Sequence, residues 1–289
     1  MDMHNTSALV VEGGAMRGIF AAGVLDAFMA AAYCPFAYAF GVSAGSTNLM
    51  GYLCNEHGRS RKIIMEHACA PEFINWRRFI KGGHLCDVHW LWHQSYEDVP
   101  LNLEHYLNGN TPLWVGVTAV RSGEPRYIRI DRDNMHSVLT ASCSIPVAYR
   151  DYPLVNGEPM SDGGLIDSIP VERAYEEGAR DITVILSRPL GYRKKPSRLP
   201  AVTRSVFREY PALAEALLQR HERYNASLAF ITEPPADCRV RIIAPPARFP
   251  VGRLTRQPER LAEGYREGLE AARDYLENVG ALEALLTSA

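Results

Sequence analysis

Ser43 stands in Gly-Val-Ser-Ala-Gly (41–45), between an apolar run ending at Val42 and a helical pattern. A serine on so tight a strand-to-helix turn is held strained, and glycines two residues either side, Gly41 and Gly45, keep side chains clear of it. Its hydroxyl then projects at a helix N-terminus, where free N–H groups and the helix dipole favour negative charge. That is the setting of a nucleophile in acyl transfer. The same five residues also fit a helix start with Ser43 as its N-cap. Residues 12–18, Glu-Gly-Gly-Ala-Met-Arg-Gly, form a second glycine-bearing turn after an apolar strand. Gly18 is followed by Ile19 and Phe20 rather than Lys-Ser/Thr, so this is no phosphate-cradling P-loop, and glycines at 13, 14 and 18 miss the dinucleotide spacing. What remains is a pair of flexible N–H donors, as a tetrahedral oxyanion requires; one such donor is worth about 3–4 kcal/mol to the transition state.

A serine nucleophile needs a base. Only one histidine, His221, lies after residue 140, and its charged helical context reads as a solvated face. Asp162, followed by Gly163 and Gly164, offers a carboxylate on a turn whose backbone can approach closely. Partial desolvation would raise its pKa and let it take the serine proton; a plain Asp-Gly turn is the alternative.

Together, EGGAMRG, GVSAG and DGG, in that order, resemble the patatin-like phospholipase family, and the bacterial branch in particular through SRPLGYRKKP (187–196). The similarity covers about residues 7 to 190. It implies a Ser–Asp dyad without histidine, with Ser43 as nucleophile and Asp162 as general base. It also implies an oxyanion hole from the N–H groups of Gly13, Gly14 and Ala15, on a loop supported by Arg17 and Gly18. Glu12 replaces the family's usual Asp, and Ala15 its frequent third glycine, where alanine tolerates φ > 0 poorly. The implied reaction is serine hydrolysis of a lipid acyl ester, needing no metal or cofactor. An acyltransferase would share the acyl-enzyme, and a non-catalytic lipid- or membrane-binding protein would keep the fold alone.

These residues need a scaffold. The first sixty residues read strand–helix–strand–helix, the mark of a parallel α/β sheet with right-handed crossovers. Strands are expected in TPLWVGVTAV, PRYIRI, DITVILS and RVRIIAPP, and an Asn-Gly hairpin in YPLVNGEP. The helix after Ser43 is expected to stop at Gly58, and residues 257–279 are expected to form a long amphipathic helix. The expectation is a three-layer α/β/α sandwich with a mostly parallel central sheet. It would be one hydrolase domain over 1–289, with its motif-bearing core at 7–190 and a helical region at 200–289.

The 289 residues are 47% hydrophobic with a formal net charge of −2, which supports a large core and argues against nucleic acid as a partner. No apolar stretch reaches the ~18 residues of a membrane span. With no secretory signal at the N-terminus, the six scattered cysteines read as reduced thiols in the cytoplasm. His84, Cys86, His89 and His93 cluster, but the intervening tryptophans read as packing rather than a metal site. Two segments suit transient membrane-surface contact. One is FINWRRFIKGG (73–83), within a lid candidate at 73–95, though the segment reads at least as well as a helix with snorkelling basic side chains. The other is 188–208, with seven Lys/Arg and no acid, which also reads as a solvated surface loop. Sequence leaves the oligomeric state open.

Overall fold

The computed structural model describes residues 6–287, and their side chains through residue 280. Eight strands form one sheet: β1 (Ser7–Val11), β2 (Tyr38–Val42), β3 (Leu113–Ala119), β4 (Pro125–Arg129), β5 (Leu154–Val155), β6 (Glu158–Asp162), β7 (Asp181–Ile185) and β8 (Arg239–Ile243). The inner order β3-β2-β1-β7-β8 is parallel throughout, whereas β4 and β6 run antiparallel to β3. β1 shows why the sheet has helices on both sides. Leu9 and Val11 enter one apolar core while Ala8 and Val10 enter the other, all fully buried. A strand apolar on both faces must be covered on both.

The first face is covered by α1 (Gly18–Ala30), α2 (Ala44–Leu53), α7 (Met135–Cys143) and α11 (Pro258–Thr287). On the second lie α8 (Val171–Glu176) and α10 (Pro211–Thr232), which bring Val171, Ala174, Tyr224 and Leu228 against Val10 and Val184. Shorter helices α3 (Arg59–Met65), α4 (Trp76–Ile80), α5 (Val88–Asp98) and α6 (Leu103–Leu107) lie between β2 and β3 in sequence, and α9 (Pro200–Val206) precedes α10. The fold is a mixed α/β sandwich with its central sheet flanked by helices.

Two details depart from the sequence reading. α2 ends at Leu53, five residues before Gly58. Asn55 adopts φ 58°, and the N–H groups of Asn55 and Glu56 return to the carbonyls of Tyr52 and Gly51, which closes the helix. Gly58 instead caps the start of α3, and its N–H donates to Asp26 Oδ1 at 3.0 Å. The basic 188–208 stretch is not wholly a solvated loop. Lys194 and Arg188 turn inward over the Tyr224 and Tyr192 rings, at 4.2 and 3.9 Å, while Arg193, Lys195, Arg198, Arg204 and Arg208 stay exposed.

α1 and α11 cross in direct backbone contact. A Cβ on Gly23 would lie 2.2 Å from the Tyr265 carbonyl oxygen, and one on Gly268 would lie 2.1 Å from that of Phe20. Tyr265 donates to Asp26 Oδ2 at 2.6 Å across the same crossing. The long C-terminal helix thereby fixes the helix that begins at the glycine loop.

Candidate active site

Register brings Ser43 and Asp162 together. β4 occupies one edge of β3, pairing with residues 114–118. On the other edge β2 pairs up to Val42↔Gly116, and β6, running the opposite way, ends at Asp162↔Val117. The two strands thus terminate head to head at neighbouring positions of β3. Ser43 follows the end of one and Asp162 is the end of the other.

Ser43 has φ 53° and ψ −129°, a left-handed conformation costly for a side chain with a Cβ. Its N–H donates to Ser142 Oγ at 2.8 Å, and that hydroxyl donates to the Gly116 carbonyl at 2.7 Å, which ties the turn to α7 and β3. Ser46 and Thr47 return their N–H groups to the Ser43 carbonyl, starting α2. Any side chain at Gly45 would strike the Val11 carbonyl oxygen, 2.4 Å from its Cβ position, and Gly41 is likewise closed by Ser46.

Asp162 is 4% exposed. Its Oδ1 accepts the Gly164 N–H at 2.7 Å, and its backbone is fixed by Thr118 Oγ1 and by the Ser144 carbonyl. Burial pushes its carboxyl above the ordinary carboxylate range, opposed by the Ser43 hydroxyl and by the charge of Arg220. The hydroxyl and the carboxylate are thus in reach of one another, and the buried Cys143 thiol lies beside both. Gly163 permits the approach, since a Cβ there would lie 2.2 Å from the Gly116 carbonyl oxygen.

The glycine loop runs beside the elbow. Gly13 gives its N–H to the Ser168 carbonyl at 3.2 Å, whereas those of Gly14 and Ala15 have no acceptor among the described residues. Of the three donors expected from the sequence, two are therefore open. Ala15 takes φ 50°, the conformation a third glycine would adopt without strain. Arg17, 3% exposed, donates through Nε to the Ser187 carbonyl at 3.1 Å and through Nη2 to Ser187 Oγ at 3.1 Å. Glu12, also buried, accepts the Ser187 N–H at 2.6 Å and the Tyr224 hydroxyl at 3.1 Å, so the longer side chain links the loop to α10. Gly18 opens α1, and its carbonyl accepts Asn48 Nδ2 at 2.7 Å.

A cavity of about 150 Å³ opens on Ser43. Its wall is largely apolar and includes Met16, Ile64, Phe73, Leu91 and Trp92, so the segment singled out as a lid supplies one side of it. No histidine among the described residues lines it. His221 is half-buried on α10 rather than solvated, with Nδ1 2.9 Å from the Leu218 carbonyl. His84 stacks on Tyr149 at 4.1 Å and His93 is exposed beside Glu97. Among the described residues no three His, Cys, Asp or Glu side chains converge as a metal site.

The family model for patatin-like phospholipase matches residues 9–175, the span that holds all three motifs. The chain belongs to the patatin-like phospholipase family. Membership in it carries the general character of a lipid acyl hydrolase. A second model, a domain of unknown function (DUF6363), matches residues 210–283, which span α10 and most of α11. An uncharacterized protein, YjjU of Escherichia coli (strain K12), is 34% identical over 279 residues, covering 95% of this patatin-like chain and 78% of its own. The crystal structure of VipD from Legionella pneumophila matches with a TM-score of 0.52 at 12% identity, over 95% of this chain and 67% of that one. That last likeness is one of fold. No described helix is long and apolar enough to cross a membrane.

Sequence reasoning missed several neighbours of the site. Ser142 and Cys143 end α7, a helix legible in SVLTASCSIP (137–146), but nothing in that pattern points them at the site, where the Cys143 thiol contacts Ser43. Arg220 and Tyr224 could have been found. Four residues apart on a helix, they share one face, and that face points at Asp162 and Glu12.

Proposed function

We propose that the protein is a serine hydrolase of lipid acyl esters, of phospholipase A or esterase type, working through a Ser43–Asp162 dyad. The observation that carries this reading is the head-to-head ending of β2 and β6 on β3, which sets the Ser43 hydroxyl against a buried carboxylate of raised pKa. Ser43 Oγ attacks the ester carbonyl carbon while its proton passes to Asp162. The charge formed on the carbonyl oxygen is met by the N–H groups of Gly14 and Ala15, with Gly13 holding the loop. The intermediate collapses, the leaving alcohol takes the proton from Asp162, and an acyl-Ser43 ester remains. Water then attacks that ester and gives a proton to Asp162. The second collapse frees the fatty acid and returns the proton to Ser43.

The acyl chain occupies the apolar cavity beside Ser43. Ile145 and Leu254, exposed at its edge, and Trp76 and Ile80 of α4 beside Arg77 and the C-cap Lys81 suit peripheral contact with a lipid surface. Residues 210–283 belong to the same hydrolase unit as the motif-bearing core, because α10 and α11 complete both apolar cores. Fatty-acid release from phospholipid vesicles tests the reading. Wild type should release free fatty acid, and S43A and D162N should each lose at least about 10³-fold in rate. Release that survives in S43A would overturn it.

A further inference from the structure

Four arginines and a lysine gather beside Ser43 and Asp162: Arg17, Arg188, Lys194, Arg220 and Arg253. Four of them come from residues 188–253, beyond the matched 9–175 span. Arg220 Nη2 lies 3.7 Å from the Cβ position of Gly164, the residue whose N–H holds Asp162. Arg253 lines the cavity mouth together with Ser43, and its carbonyl accepts the Met16 N–H at 3.4 Å. The Tyr192 and Tyr224 rings, edge to face at 5.8 Å, floor the cluster beneath Arg188 and Lys194.

The cluster lacks counter-charge. None of the five forms an ion pair with a described carboxylate. Glu12 and Asp162 are the acids they sense, and Glu12 is already engaged by Ser187 and Tyr224. Two donors, Arg17 Nη1 and Arg220 Nε, are buried without any acceptor. Unmet buried donors of charged groups are costly, and native proteins rarely leave them unfilled. Burial and the neighbouring Arg220 and Arg253 hold Lys194 down to about 6. An anion set among these groups would relieve the whole arrangement.

We propose that Lys194, Arg220 and Arg253, with Arg17 and Arg188, bind the phosphomonoester headgroup of a lipid whose acyl ester is presented to Ser43. A phosphomonoester brings nearly two negative charges at neutral pH and three strong acceptor oxygens, which suits several cations with open donors. A choline phosphodiester brings one negative charge and a quaternary ammonium that the cluster repels. A headgroup-free ester leaves the buried donors unmet. The inference rests on the hydrolase reading above and narrows it to a substrate class, acyl glycerol phosphates.

The test compares kcat/KM for three substrates in detergent micelles: dioleoyl phosphatidate, dioleoyl phosphatidylcholine and p-nitrophenyl butyrate. Wild type should prefer phosphatidate over phosphatidylcholine by at least about tenfold, the scale of one charge-assisted hydrogen bond. R220Q and R253Q should each lower the ratio of phosphatidate to p-nitrophenyl butyrate turnover by about tenfold. Arg253 is exposed, so R253Q keeps the comparison sound even if R220Q folds poorly. The exposed Arg208, outside the cluster, supplies the control, and R208Q should keep the wild-type ratio. Equal turnover of the two phospholipids, with p-nitrophenyl butyrate still cleaved, would overturn the headgroup site and leave the hydrolase reading standing. Inorganic phosphate that saturably alters p-nitrophenyl butyrate cleavage, without any phosphatidate preference, would mark a free-anion site and likewise overturn it. No turnover of any ester would remove both.

Discussion

Ser43 and Asp162 carry opposite kinds of stress. The serine holds a strained backbone, and the aspartate is a carboxylate withdrawn from water. The raised pKa of Asp162 has consequences of definite sign. As the proposed base it would work only when deprotonated, so activity should fall on acidification at a pH above the ordinary carboxylate value of 3.8. A pH profile of kcat/KM on a headgroup-free ester checks this, and an acid limb at or below the ordinary value contradicts it. Stability runs the other way. A carboxyl whose folded pKa is raised contributes fully below its unfolded pKa, and that contribution is lost as pH rises through the folded pKa. D162N should therefore melt above wild type at pH 7, with a gap that narrows as pH falls towards 3.8. Thermal denaturation across that range reads both.

At the scale of elements, the site is a matter of where strands stop and helices touch. β2 and β6 meet only because each ends at its own residue of β3. α1, which begins at the glycine loop, is held by α11 through the Gly23–Gly268 crossing. A side chain at 268 must drive the two backbones apart, so G268L should cost about 3 kcal/mol or more in denaturant unfolding; a loss within experimental error would show that the helices can separate freely. The strands and the three glycine-bearing motifs were legible in the sequence because they rest on local signals. Ala8–Val11 is an unbroken apolar run, Asn156-Gly157 is a hairpin turn, and glycines flank Ser43. What was not legible depends on distant contacts. Nothing near Gly13 announces that Ser168, over 150 residues later, takes its N–H. Nothing near Lys194 says that Tyr224 draws it inward. The end of α2 lay within reach, since Asn55 can take the left-handed conformation that closes a helix, but Gly58 offered the stronger stop signal.

Over the whole molecule, the C-terminal residues are part of the scaffold. Tyr224, Leu228 and Ile231 of α10 fill one core, and Ala272 and Tyr275 of α11 enter the other. Tyr275 also shares a hydrogen bond of 2.8 Å with Thr183 in β7. A chain lacking residues 210–289 would expose both faces of the sheet and lose the Tyr224 hydroxyl from Glu12. It should show no cooperative melting transition, and a sharp transition with ester hydrolysis retained would make the segment a separable appendage. The same residues give the charge its layout. A chain of net charge −2 gathers four arginines and Lys194 beside Ser43 and Asp162.

On the proposed mechanism Ser43 is a nucleophile activated by Asp162. Covalent labelling with a fluorophosphonate, read by peptide mass spectrometry on wild type, S43A and D162N at neutral pH, tests it most directly. Wild type should give a single labelled peptide containing Ser43, S43A should give no label, and labelling of D162N should be slowed by at least about 10³-fold. Folded wild-type protein that takes no label, with or without lipid vesicles, or D162N that labels at the wild-type rate, would contradict it.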